Sequence, residues 1–81
     1  MTEQTVLIID DEPDIRELLE ITLLRMGLDT ITAGNVQSAL NQIETYKPNL
    51  CLTDMKLPDG SGIDIVRFLQ KNYPQIPVAV I

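Results

Sequence analysis

The stretch Val6-Leu7-Ile8-Ile9-Asp10-Asp11-Glu12-Pro13 decides the fold. A short apolar run ends in consecutive acids, and a proline opens the periodic segment that follows. A second run of this kind, Leu50-Cys51-Leu52-Thr53, ends in Asp54. Short apolar runs alternating with helical patterns indicate parallel strands of one sheet. Ligands of such sheets bind beyond the carboxyl ends of the strands, near the point where strand order reverses. Asp10, Asp11 and Asp54 are therefore expected at one edge. At an effective dielectric of about 20, two unit charges roughly 5 Å apart repel by about 3 kcal/mol, so the cluster is unfavourable without a cation or a proton. A hard divalent cation such as Mg2+ suits it, because that ion takes oxygen ligands.

Working outward, the first strand covers about Val6 to Ile9. Pro13 sits just inside a helix start, where its missing N–H costs nothing. That helix runs to about Met26, with Ile15, Leu18, Leu19, Thr22, Leu23 and Met26 as its apolar stripe and Gly27 as its stop. Leu28 to Ala33 alternates apolar and polar residues, as an outer strand with one wetter face does. Asn35 is the N-cap of a second helix, whose stripe is Val36, Ala39, Leu40 and Ile43 and which ends at Lys47-Pro48. The third strand is Leu50 to Thr53. Leu57-Pro58-Asp59-Gly60-Ser61-Gly62 reads as a loop of turn formers. A third helix spans about Ile63 to Asn72, with Ile65, Phe68 and Leu69 inward. After Tyr73-Pro74-Gln75-Ile76-Pro77, Val78 to Ile81 forms a fourth, apolar strand. The resulting β-α-β-α-β-α-β order fits an α/β, doubly wound parallel sheet with strand order 2-1-3-4.

The chain has 81 residues and a net charge of −6. That length allows one domain at most, here residues 1–81. The charge argues against direct contact with nucleic acid or an anionic membrane. Cys51 is the only cysteine; within an apolar run it reads as a small core residue. The chain has no histidine, which removes the commonest general base and zinc ligand. No stretch is long enough to span a membrane, and Met1-Thr2-Glu3-Gln4 does not read as a signal peptide, so a cytoplasmic location is expected. The sequence stops at an apolar strand without a closing helix, which suggests the N-terminal portion of a larger domain. Val78, Val80 and Ile81, with Ile65 and Phe68, would then expose apolar surface, and the strand edge invites self-association.

Asp10-Asp11 has two readings. An acid between strand and helix commonly caps the helix, but a tandem pair exceeds what a cap needs. Glu12 reads as a solvated residue near the helix dipole. Taken together, Val6 to Pro13, the Asp54-Met55-Lys56-Leu57-Pro58 run, the Gly60-Ser61-Gly62 turn and Pro48-Asn49-Leu50 resemble the receiver domain of bacterial two-component response regulators. The Leu57 to Gly62 run is most similar to receivers of sigma-54-dependent transcription activators. The resemblance implies a flavodoxin-like fold with strand five and the last two helices missing. It implies a phosphoacceptor rather than an enzyme, one that assists its own phosphotransfer and dephosphorylation. Asp54 would take the phosphoryl group from a sensor histidine kinase and so switch an output domain for transcription regulation. Mg2+ would be held by Asp11, Asp54 and the Met55 backbone carbonyl, with a water positioned by Asp10. The family's later Ser or Thr and its lysine fall beyond Ile81, and Lys56 is not assigned the lysine's role.

The competing reading is a small Mg2+-dependent phosphohydrolase with an Asp nucleophile. The haloacid-dehalogenase type carries a second Asp two positions after the first, where this chain has Lys56. A receiver-like binding module that is never phosphorylated is disfavoured by Asp10, Asp11 and Asp54 all being present. Gly27 and Gly34 do not form a phosphate-cradling run.

Overall fold

A computed structural model describes residues 4–81; Met1 to Glu3, part of the N-terminal stretch read above as no signal peptide, lie outside the described residues. The elements are β1 (Thr5–Ile9), α1 (Pro13–Arg25), β2 (Asp29–Ala33), α2 (Val36–Tyr46), β3 (Leu50–Thr53), β4 (Lys56–Leu57), β5 (Gly60–Ser61), α3 (Gly62–Asn72) and β6 (Val78–Val80). Four strands form one parallel sheet in the order β2-β1-β3-β6, so the expected 2-1-3-4 order holds. The segment read as a loop differs. Lys56–Leu57 and Gly60–Ser61 pair as an antiparallel hairpin around Pro58-Asp59. With two residues per strand it gives almost no periodicity to read.

Local chemistry explains the helix ends. Pro13 opens α1, Asp14 lies in its first turn and Arg25 in its last, each complementing the helix dipole. Gly27 has φ 84°. Its N–H reaches the Leu24 carbonyl and the Leu28 N–H reaches the Leu23 carbonyl, the paired bonds of a Schellman stop. The Asn35 side chain accepts the Ser38 N–H at 2.7 Å. Ser61 and Asp64 form a reciprocal capping box at the start of α3.

Side chains alternate across the sheet. Leu7, Ile9 and Cys51 join Ala39, Ile43, Leu57, Ile65, Leu69 and Ile76 in one buried cluster with α2 and α3. Val6 and Ile8, on the opposite face, are also buried, and α1 packs there on β1 and β2. Two expectations need correction. No residue of α1 is buried; Leu18 is 61% and Met26 68% exposed. The stripe turns only part of its width to the sheet, because no described element packs on the helix's other side, and Met26 is already the C-cap. Ile65, expected near an exposed patch, is fully buried, because α3 turns Ile65 and Leu69 into the shared cluster. Phe68 is half-buried against that cluster. Val80 and Ile81 are exposed as expected, whereas Val78 is half-buried against the core cluster. No helix among the described residues is long and apolar enough to cross a membrane.

Candidate functional site

The site grows from the register of β1 and β3. Ile9 pairs with Thr53, so Asp10 and Asp54 each follow a paired residue on neighbouring strands. Both continue the ladder by one bond: the Asp10 N–H donates to the Ala33 carbonyl at 3.0 Å, and the Asp54 N–H donates to the Ile9 carbonyl at 2.9 Å. Their backbones are therefore held as firmly as the strands themselves.

The side chains divide into two groups. Asp10, Asp11 and Glu12 each offer a carboxylate oxygen, and these lie within 4.8 Å of one another. Asp54 does not belong to that group; its Oδ1 accepts the Met55 N–H at 2.8 Å. Asp10 is 6% exposed, and its Oδ1 accepts the Glu12 N–H at 2.9 Å. Its local role is thus a turn bond just ahead of α1, not a cap inside it. Glu12 is the N-cap of α1 by position, with extended backbone and no side-chain cap bond. It is solvated, as read from the sequence, but it also joins the acidic cluster, which that reading missed. The tandem Asp10-Asp11-Glu12 run was the available signal.

Arg16 was also missed. Its Nη1 donates to the Asp10 carbonyl at 2.7 Å, which brings a positive charge to the rim of the acidic cluster. Gly34 leaves room for it, since a Cβ there would stand 3.2 Å from that nitrogen. The contact joins the first turn of a helix back to a strand end, and no periodicity announces it.

Below Asp54 the chain turns into the hairpin and α3. The Met55 carbonyl accepts the Gly62 N–H at 2.8 Å. A carbonyl oxygen has two lone pairs, so a second partner remains available to it. Thr53, fully buried, donates its hydroxyl to the Asp54 carbonyl at 2.9 Å. Lys56 is exposed, as a solvated surface lysine would be.

The donor set fits a hard cation. The acidic group offers carboxylate oxygens, the choice of Mg2+ and its kin rather than of soft metals. Cys51 is no rival ligand: burial pushes its thiol up to about 12, and the thiol form is neither nucleophile nor metal ligand.

The family described as "Response regulator receiver domain" matches residues 6–81. The response regulator protein PilR of Pseudomonas aeruginosa is 59% identical over 81 residues, which is 100% of this chain and 18% of that protein. The phosphate regulon transcriptional regulatory protein PhoB of the same organism is 37% identical over 81 residues, 100% of this chain and 35% of that protein. This chain therefore spans a minor part of the length of these relatives. Among solved structures, the response regulator protein TrrA of Thermotoga maritima, in complex with Mg2+-BeF, has a TM-score of 0.89 at 31% identity and covers 93% of this chain and 65% of that one. A response regulator receiver domain protein from Clostridium thermocellum has a TM-score of 0.91 at 30% identity, covering 95% of this chain and 63% of that one.

Proposed function

We propose, starting from the fact that this chain belongs to the response regulator receiver domain family, that Asp54 accepts a phosphoryl group from the phosphohistidine of a sensor histidine kinase. The phosphorylated state then controls an output domain that regulates transcription, of the sigma-54-dependent activator type that the Leu57 to Gly62 run resembles. The observation that supports this reading most is the β1–β3 register, which sets the Asp54 strand end next to the one bearing Asp10, Asp11 and Glu12. The protein is then a cytoplasmic signalling component, not an enzyme that turns over a free substrate.

Asp54 is the nucleophile: a carboxylate oxygen attacks phosphorus as the phosphorus–nitrogen bond to the kinase histidine breaks. A carboxylate needs no general base for this, which agrees with a chain that has no histidine. Asp11, Asp54 and the Met55 carbonyl would hold Mg2+, with Asp10 engaged through a bound water. The ion, when bound, supplies neutralisation of the phosphoryl charge and alignment of donor with acceptor. Its occurrence in the Thermotoga maritima relative supports that class of cation. The phosphohydrolase alternative gains nothing from the relatives, which are response regulators.

The test is direct. Incubation of the protein with acetyl phosphate is expected to yield an acyl phosphate, labile to hydroxylamine, only when Mg2+ is present. A hydroxylamine-stable label, or one formed equally well in excess chelator, would overturn the reading.

The ligand roles carry their own expectation. Asp11 is exposed, and no intramolecular hydrogen bond engages its carboxylate among the described residues. Asp10 spends Oδ1 on the Glu12 N–H, an acceptor that asparagine keeps. Asp11→Asn should therefore weaken Mg2+ binding by at least about tenfold, and Asp10→Asn by less. Isothermal titration with Mg2+ measures both, and an unchanged affinity in Asp11→Asn would refute the ligand set.

A further inference from the structure

The hairpin below Asp54 is tied at its tip to a helix far from it in sequence. Asp59 Oδ1 accepts the Val36 N–H at 2.7 Å, and Oδ2 accepts the Gln37 N–H at 3.0 Å. The helix's own cap, Asn35, takes the Ser38 N–H. All three N–H groups at the start of α2 thus have acceptors, two of them from one carboxylate on another element. Charge-assisted bonds of this two-pronged kind fix geometry as well as adding energy, and a helix N-terminus favours the anion. The two backbone N–H groups hold the Asp59 carboxyl below the usual carboxylate range.

The tip is packed as well as tied. A Cβ on Gly60 would come within 3.0 Å of Val36 Cγ2, so the turn lies against the first residue of α2. At its base, the Gly62 N–H holds the Met55 carbonyl, and a Cβ on Gly62 would run into the Asp54 carbonyl. Between these ends, Leu57 is buried in the core. A hairpin this short has too few ladder bonds to be stable alone. Its conformation depends on these ties, and among them the Asp59 carboxylate supplies the two hydrogen bonds that join the turn to α2.

We propose that Asp59 is a positioning residue for the reaction at Asp54: by clamping the β4–β5 turn to the start of α2, it sets the hairpin that aims the Met55 carbonyl beside Asp54. Asp59 is exposed and takes part in none of the hydrogen bonds described at Asp54 and Met55, so its influence runs through geometry. The inference rests on Asp54 being the phosphoacceptor.

Asp59→Ala and Asp59→Asn in the protein test it, with three readouts: the rate of phosphorylation by acetyl phosphate, Mg2+ affinity by titration, and the urea midpoint. Asparagine can accept one of the two N–H groups, while its amide nitrogen repels the other. Both the rate and the Mg2+ affinity should fall by about tenfold in Asp59→Ala and by about threefold in Asp59→Asn, as expected for displaced reacting groups. A merely structural cap would lower the midpoint yet leave rate and Mg2+ affinity at wild-type values well below that midpoint, and this result would overturn the proposal. Should Asp59→Ala fail to fold, Asp59→Asn decides alone, and wild-type rate and affinity in it would overturn the proposal equally. Absence of label in the wild type, or label away from Asp54, would instead sink the phosphoacceptor reading.

Discussion

Replacing Asp54 with asparagine is expected to abolish acyl-phosphate formation while leaving the fold intact. The substitution is nearly isosteric, and an asparagine Oδ1 can still accept the Met55 N–H that Asp54 Oδ1 accepts at 2.8 Å. The backbone bond from the Asp54 N–H to Ile9 is untouched. What disappears is the anionic nucleophile and one negative charge beside the acidic cluster. Without Mg2+, relief of repulsion should leave the variant at least as stable as the wild type. Neighbouring carboxylates are poor substitutes. Asp10 is buried and already engaged by the Glu12 N–H, and Asp11 sits on a different strand end. Reductive trapping of the acyl phosphate, followed by peptide mapping, locates the phosphorylated residue in the wild type. Label retained by Asp54→Asn, or mapped to Asp10 or Asp11, would refute the assignment.

Much of this site was legible because its signals are local. An apolar run ending in acids marks a strand end, and the parallel order follows from the alternation of elements. The Ile9–Thr53 register then sets the strand ends bearing Asp10 and Asp54 side by side, although the carboxylates that come together are those of Asp10, Asp11 and Glu12 and not Asp54. Asn35 and Gly27 were legible for the same reason, since a cap and a helix stop are decided by one residue and its neighbours. The features missed are those carried between elements. Arg16 reaching the Asp10 carbonyl and Asp59 reaching the α2 N-terminus are polar contacts of exposed or half-buried residues, which leave no periodicity. The apolar stripe of α1 was legible as a pattern, but a pattern does not say how many neighbours cover it. Ile15 at 38% and Leu24 at 54% exposure show that apolar residues spread around a helix exceed what one sheet face covers.

The last expectation concerns Gly62, where two effects of known sign compete. Gly62 opens α3, and helix propensity by itself favours alanine over glycine by about 1 kcal/mol. Packing opposes it. A Cβ at Gly62 would stand 2.6 Å from the Asp54 carbonyl oxygen and 3.1 Å from Thr53 Cγ2. The oxygen cannot retreat, because the Asp54 N–H is fixed to β1 and the Thr53 hydroxyl holds the carbonyl itself. Overpacking against such a fixed group costs roughly 1–3 kcal/mol or more, so the clash should win. Gly62→Ala is therefore expected to destabilise the protein and, by lifting α3 off the end of β3, to loosen the Gly62 bond to the Met55 carbonyl. Gly60→Ala is the informative control: its closest obstruction is the Asp64 carboxylate at 2.5 Å, a side-chain end that can swing away at the expense of the capping box. Urea denaturation should rank Gly62→Ala well below Gly60→Ala, with slower phosphorylation in the former at temperatures where it remains folded. A Gly62→Ala midpoint equal to that of the wild type would mean that α3 does not rest on the Asp54 backbone in solution.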